Sequence, residues 1–79
     1  MARIKVLYFA ALREDRGRAE EDVEVHDDST LSEVFAKLFA GSPLMNMPIA
    51  YARNLAYASG SDRVEDGDEI SFLPPLGGG

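Results

Sequence analysis

Asp27-Asp28-Ser29-Thr30-Leu31-Ser32-Glu33-Val34-Phe35-Ala36-Lys37-Leu38-Phe39 is the stretch on which the fold turns. Thr30 and Glu33 have the spacing of a capping box, in which hydroxyl and carboxylate each accept from a backbone N–H at the start of a helix. Leu31, Val34, Phe35, Leu38 and Phe39 then recur at i, i+3, i+4, i+7 and i+8. That spacing makes one apolar stripe, with Ser32, Glu33 and Lys37 facing water. Gly41 and Pro43 close the helix. The other candidate for a helix, 43–50, is too short and is bounded by proline, so one helix must bury its stripe against strands.

Strands are readable on both sides of it. Upstream, 22–26 alternates Val23 and Val25 with Asp22, Glu24 and His26, as an antiparallel strand with one wet face would. Over 4–9, Ile4, Val6 and Tyr8 take one face and Lys5, Leu7 and Phe9 the other. The charged stretch 13–22, which contains Gly17, reads as an irregular connection. Downstream, Met45 and Met47 read as gap-filling around the core. Two short strands, 49–52 and 55–58, follow and are joined by Arg53-Asn54 as a tight hairpin. A turn at Asp66-Gly67-Asp68 precedes the last strand, 69–73, whose Ile70 and Phe72 share the inner face. The order β, β, α, β, β, β predicts an α+β fold of the β-grasp kind. In it a mixed sheet of about five strands packs on one main helix, and the last strand lies parallel beside the first.

Composition bounds the rest. At 79 residues the chain predicts one domain, 1–79, since a second core could not be buried by what remains. Fourteen acidic residues against eight basic ones give a net charge of −6, which repels nucleic acid and favours partners with basic surfaces. No apolar run approaches the ~20 residues of a membrane span. With the first strand pattern starting almost at Met1, a cytoplasmic protein is the simplest reading. There is no cysteine. No catalytic or metal-ligating constellation is recognisable: His26 reads as a solvated strand-end residue, and Asp66-Gly67-Asp68 lacks the other ligands of a calcium loop.

The chain ends Phe72-Leu73-Pro74-Pro75-Leu76-Gly77-Gly78-Gly79. Pro74 and Pro75 cannot donate ladder hydrogen bonds, so they stop strand pairing and project the chain off the sheet. The four residues beyond them, a flexible tail over 76–79, reach at most about 14 Å. Glycines without Cβ can thread a channel too narrow for side chains. Such a tail suits delivery of a terminal carboxylate into another protein's active site. If the inner faces cover the helix, then Leu7, Phe9, Ser71 and Leu73 face outward beside that tail, an apolar patch that predicts a partner surface.

Two end motifs carry a resemblance that spans essentially the whole chain. Arg3-Ile4-Lys5-Val6-Leu7-Tyr8-Phe9-Ala10-Ala11-Leu12-Arg13-Glu14 resembles the opening of the molybdopterin synthase small subunits, a ubiquitin-like family of sulfur carriers. Val64-Glu65-Asp66-Gly67-Asp68-Glu69-Ile70-Ser71-Phe72, with the Pro74-Pro75 and Gly78-Gly79 pairs after it, resembles their end. The middle, 15–47, carries little of the family's signal, and Gly77 departs from a position where the family more often has another residue.

The resemblance implies a ubiquitin-like β-grasp and a carrier that is no enzyme on its own. Gly79 would be adenylated by a ubiquitin-activating-like adenylyltransferase using ATP and magnesium. A sulfur donor protein would convert it to a thiocarboxylate, and Gly77 and Gly78 would thread the tail into the large subunit of molybdopterin synthase. The chain itself would bind no cofactor and no metal. Leu55 matches a family position that packs on the large subunit, and Arg13 a basic position near the same contact. Phe9, Leu73, Pro74, Pro75 and Leu76 complete the expected interface. The same activated carboxylate would serve a carrier for thiamin, cysteine or transfer RNA thiolation, or a ubiquitin-like modifier conjugated through Gly79 to lysines.

Overall fold

The structure is a computed structural model and describes residues 1–75. Its elements are β1 (Ala2–Tyr8), α1 (Ala10–Arg16), β2 (Glu20–Val25), α2 (Leu31–Leu38), β3 (Ala50–Arg53), β4 (Ala56–Ala58) and β5 (Glu69–Leu73). The five strands form one sheet in the order β2-β1-β5-β3-β4. β5 runs parallel to β1, with Lys5 opposite Glu69 and Tyr8 opposite Phe72, and every other pairing is antiparallel. This is the mixed β-grasp sheet that the strand order predicts, with first and last strands paired at its centre.

The core lies between that sheet and α2. Ile4, Val6 and Tyr8 of β1 and Ile70 and Phe72 of β5 meet Leu31, Val34 and Phe35 of α2 and Phe39 just after it, all of them buried. Aromatic rings fill the centre edge to face: Phe35 to Phe72 at 5.2 Å and Tyr8 to Phe39 at 5.9 Å between centroids. Such pairs add about 0.5–1.5 kcal/mol each beyond their area burial.

The start of α2 is the capping box that the sequence predicts. Thr30 N–H donates to Glu33 Oε1 at 2.8 Å, and Glu33 N–H donates to Thr30 Oγ1 at 3.2 Å. The next two helix donors are met from a loop, Leu31 N–H by the Asp62 carbonyl and Ser32 N–H by the Gly60 carbonyl, both at 2.9 Å. The loop between β4 and β5 is thereby fastened to the helix. Gly60 fits there because a Cβ would come within 2.9 Å of the Tyr51 ring.

Three local expectations are corrected. The stretch 13–22 is not irregular, and α2 is not alone: α1 occupies Ala10–Arg16 and β2 begins at Glu20. α1 buries only Leu12 and so shows no apolar period, and it ends at Gly17, whose φ of +73° supplies the left-handed C-cap. β1 spans Ala2–Tyr8 rather than 4–9; Phe9 instead precedes α1 as its extended N-cap residue. The hairpin turn is Asn54-Leu55, not Arg53-Asn54, since Arg53 pairs with Ala56. Both turn residues have positive φ, +51° and +71°, the signature of the two-residue turn whose twist matches that of the strands.

Candidate functional site

The outer face of the sheet carries an apolar surface next to the point where β5 runs into Pro74 and Pro75. Period-two alternation puts Leu73 on that face, and Phe9 reaches it from the end of β1. A groove of about 730 Å³ is lined by Phe9 and Ala10 on one side, Pro48, Ile49 and Ala50 on another, and Tyr57, Leu73, Pro74 and Pro75. A second, shallower hollow is lined by Ala52, Leu55 and Ser71 and shares Tyr57 and Leu73 with the first. The two therefore form one face. Leu55 and Tyr57 are 89% and 86% exposed and Phe9 42%, a concentration of bare apolar surface that a small fold does not need for its own packing.

Several predicted interface residues meet here. Phe9, Leu73, Pro74 and Pro75 line the groove, and Leu55 stands across Tyr57 from them. Arg13 is exposed on α1 and lines neither hollow. Ser71 is on the outward side but only 9% exposed, because a small side chain on the central strand is flanked by Leu7 and Ala52 across the ladder. Leu76, Gly77, Gly78 and Gly79 lie outside the described residues. Tyr57 is the prominent residue that sequence reasoning passed over. The signal was present, since Ala58 packs against the core and period two then puts Tyr57 on the side opposite to it.

Behind the face, a polar cluster fixes α1. Tyr8 Oη donates to Glu21 Oε1 at 2.8 Å, and Arg16 Nη2 donates to the same oxygen at 2.6 Å. Arg16 Nη1 donates to the Leu38 carbonyl at the end of α2 at 2.9 Å. The guanidinium also lies 5.6 Å from the centre of the Tyr8 ring, within cation–π range. Burial opposes ionisation of Glu21. Hydrogen bonds from Tyr8 and Arg16, with the charges of Arg16 and Arg18, outweigh it and hold the carboxyl below its ordinary range. Burial and the Glu21 carboxylate push the Tyr8 phenol well above its ordinary value. The cluster ties α1, β1, β2 and α2 together one residue away from Phe9.

A second polar cluster holds the β3–β4 turn. The buried Asp68 accepts from Asn54 Nδ2 at 3.0 Å and from Glu65 N–H at 2.8 Å. Asn54 Oδ1 accepts from Glu69 N–H at 2.9 Å, while Asn54 N–H donates to the Glu69 carbonyl at 2.8 Å. Among the described residues, no group of three or more His, Cys, Asp or Glu side chains is placed to hold a metal ion, and no helix is long and apolar enough to cross a membrane. What the face offers chemically is docking, with a stalk at one end of it.

The chain is similar to known proteins in sequence and in fold. Residues 6–79 match the model of the ThiS family. The molybdopterin synthase sulfur carrier subunit of Chlamydomonas reinhardtii is 36% identical, over 96% of this chain and 98% of that protein. The protein of the same name from Mycobacterium tuberculosis is 31% identical over the full length of both. Among solved structures, SAMP1 from Haloferax volcanii superposes with a TM-score of 0.80 at 26% identity, covering 99% of this chain and all of that one.

Proposed function

Because the chain belongs to the ThiS family, we propose that it works as the sulfur carrier subunit of a molybdopterin synthase, with the Gly79 carboxylate as its working group. The observation that carries this reading is the apolar face that ends at Pro74 and Pro75, in a chain whose next residues are Leu76 and three glycines. A carrier needs a surface for its acceptor and a thin tail after it, and the apolar face followed in sequence by the glycine run supports that reading.

The chemistry proceeds on partners. A ubiquitin-activating-like adenylyltransferase, using ATP and magnesium, joins the carboxylate to the α-phosphate of ATP and releases pyrophosphate. The acyl adenylate so formed is a good acyl donor. The terminal sulfur of a persulfide on a sulfur donor protein attacks the acyl carbon, and AMP leaves. A second thiol cleaves the resulting acyl disulfide, taking up the donor's sulfur as an ordinary disulfide and leaving a thiocarboxylate on Gly79. Gly77 and Gly78 then carry it into the large subunit, where its sulfur passes to the pterin precursor. The carrier contributes no acid, base or metal ligand, binds no cofactor and acts in the cytoplasm.

The test is a synthase reconstituted from large subunit and carrier. A chain lacking Gly78 and Gly79 is expected to fold and to bind the large subunit while transferring no sulfur. Transfer at the full-length rate would overturn the reading.

A second reading is favoured by the likeness to SAMP1, the small archaeal modifier protein 1. The same adenylate could be captured by a lysine amine of a target protein. Isopeptide-linked species ending in Gly79, recovered from cells, would support that use. Carriers for thiamin, cysteine or transfer RNA thiolation share the tail chemistry and differ only in the acceptor.

A further inference from the structure

The sheet has two edges, and they are built differently. β2 borders one side, and Glu20, Glu21, Asp22 and Glu24 make most of it acidic. A charged strand repels a like strand laid beside it, which is one way folds protect an edge. β4 borders the other side with Ala56-Tyr57-Ala58. No charged residue and no proline occurs from 54 to 61, so this edge lacks both of the usual guards.

The register shows which backbone groups that edge presents. Asn54 N–H on the β3 side donates to the Glu69 carbonyl at 2.8 Å, so by alternation Ala52 and Ala50 turn their backbone groups toward β5. Arg53 and Tyr51 then bond to their partners on β4, which are Ala56 and Ala58. The N–H and carbonyl of Tyr57, the residue between, point away from the sheet, beside a side chain that is 86% exposed.

Ala56-Tyr57-Ala58 reads the same in both directions, and that symmetry identifies the partner. A second copy turned about a two-fold axis at Tyr57 sets Tyr57 opposite itself and each Ala56 opposite the other copy's Ala58. Each Tyr57 N–H donates to the facing Tyr57 carbonyl, the alanines allow close approach, and the tyrosine rings form a cross-strand pair. The contact is self-complementary, so it closes at two copies instead of growing into a fibre. With each chain at a net charge of −6, two copies meet best where neither carries charge. We propose that the β4 edge is a self-association site, on which a second copy of this chain lays its own β4 antiparallel and joins the two five-stranded sheets into one. A three-residue edge buries less than the ~1,200 Å² of stable complexes, so the dimer forms at high concentration. This goes beyond the carrier reading and does not depend on it.

Sedimentation equilibrium of the full-length chain up to about 1 mM tests the proposal, with Tyr57→Lys and Tyr57→Glu alongside. The parent is expected to show a dimer fraction that rises with concentration, and each variant to stay monomeric, because like charges then face each other across the axis. An equal mixture of the two variants is expected to recover the dimer. Repulsion between whole chains predicts otherwise, since Tyr57→Lys lowers the net charge and would associate more than the parent.

The absence of cysteine allows a geometric check that needs no charge. Directly opposed hydrogen-bonded residues have Cα atoms about 5.5 Å apart, within disulfide range, so Tyr57→Cys is expected to oxidise to a covalent dimer. The two copies of Leu55 stand four residues apart along the paired strands, roughly 14 Å, so Leu55→Cys is expected to stay largely monomeric. A parent that is monomeric throughout, a Tyr57→Lys chain that dimerises like the parent, a variant mixture that stays monomeric, or Leu55→Cys crosslinking as fast as Tyr57→Cys would each overturn the proposal.

Discussion

Glu21 shows how much one position can hold together. Its single oxygen Oε1 accepts from both Tyr8 and Arg16, and Arg16 reaches on to the Leu38 carbonyl. The cost of hiding a carboxylate is met by two donors and a nearby guanidinium, hydrogen bonds to charge being worth about 1.5–3 kcal/mol each. A pH dependence follows. Glu21 titrates lower in the folded chain than in the unfolded one, where its ordinary value is 4.5. Its contribution is therefore present above that value and is lost as pH falls through the folded one. Urea unfolding from pH 7 down to pH 3 should show the parent losing stability below about pH 4.5, and Glu21→Gln, less stable at pH 7, losing less. A parallel decline in the two proteins would contradict the assignment. Tyr8 acts at the other end of the scale: its phenol is held neutral in the fold, so its contribution is intact below the ordinary value of 10.0 and is lost at higher pH.

At the scale of elements, the capping box of α2 is the clearest local signal. Thr30→Ala removes the acceptor for Glu33 N–H and should cost about 1 kcal/mol in chemical denaturation, without altering docking on the opposite side of the sheet. α2 and β5 were legible because periodicity and burial coincide in them: Leu31, Val34 and Phe35 are the buried residues of the helix, and Ile70 and Phe72 are buried on the last strand. α1 was not, because it is held by one apolar residue, Leu12, and by the long-range partners of Arg16. No local pattern announces either. The charged run hid a second fact for the same reason: Glu21 belongs to the inner side of β2 by alternation with Val23 and Val25, but a carboxylate reads as solvated until its donors are known. The β3–β4 turn was misplaced by one residue because Leu55 looks like a strand residue. Only the register of Arg53 with Ala56 reveals it as a turn. Phe9, Leu73, Pro74 and Pro75 were readable from alternation and proline chemistry, whereas the place of Leu55 rested on resemblance and Tyr57 was passed over. Arg13, also named by resemblance, lines neither hollow.

For the molecule as a whole, the parallel pairing of β5 with β1, with Tyr8 opposite Phe72, is what brings the exit of the last strand beside the exit of the first. Phe9 leaves one central strand and Pro74 the other, so the groove they border is a product of topology and not of any one segment. Apolar residues border Pro74 and Pro75, and the chain carries a net charge of −6, which slows encounter with acidic partners and favours basic ones. The central claim is that Gly79 carries sulfur, and the composition makes it directly measurable. With no cysteine in 79 residues, a thiocarboxylate would be the only thiol-like group on the chain. The protein would be purified from its native cells, treated with a thiol-alkylating reagent, and read by intact mass and by the tryptic peptide that follows Arg63. One alkyl group on the peptide ending at Gly79 is the predicted result. An unmodified peptide, under conditions in which a thiocarboxylated carrier is labelled, would contradict the account.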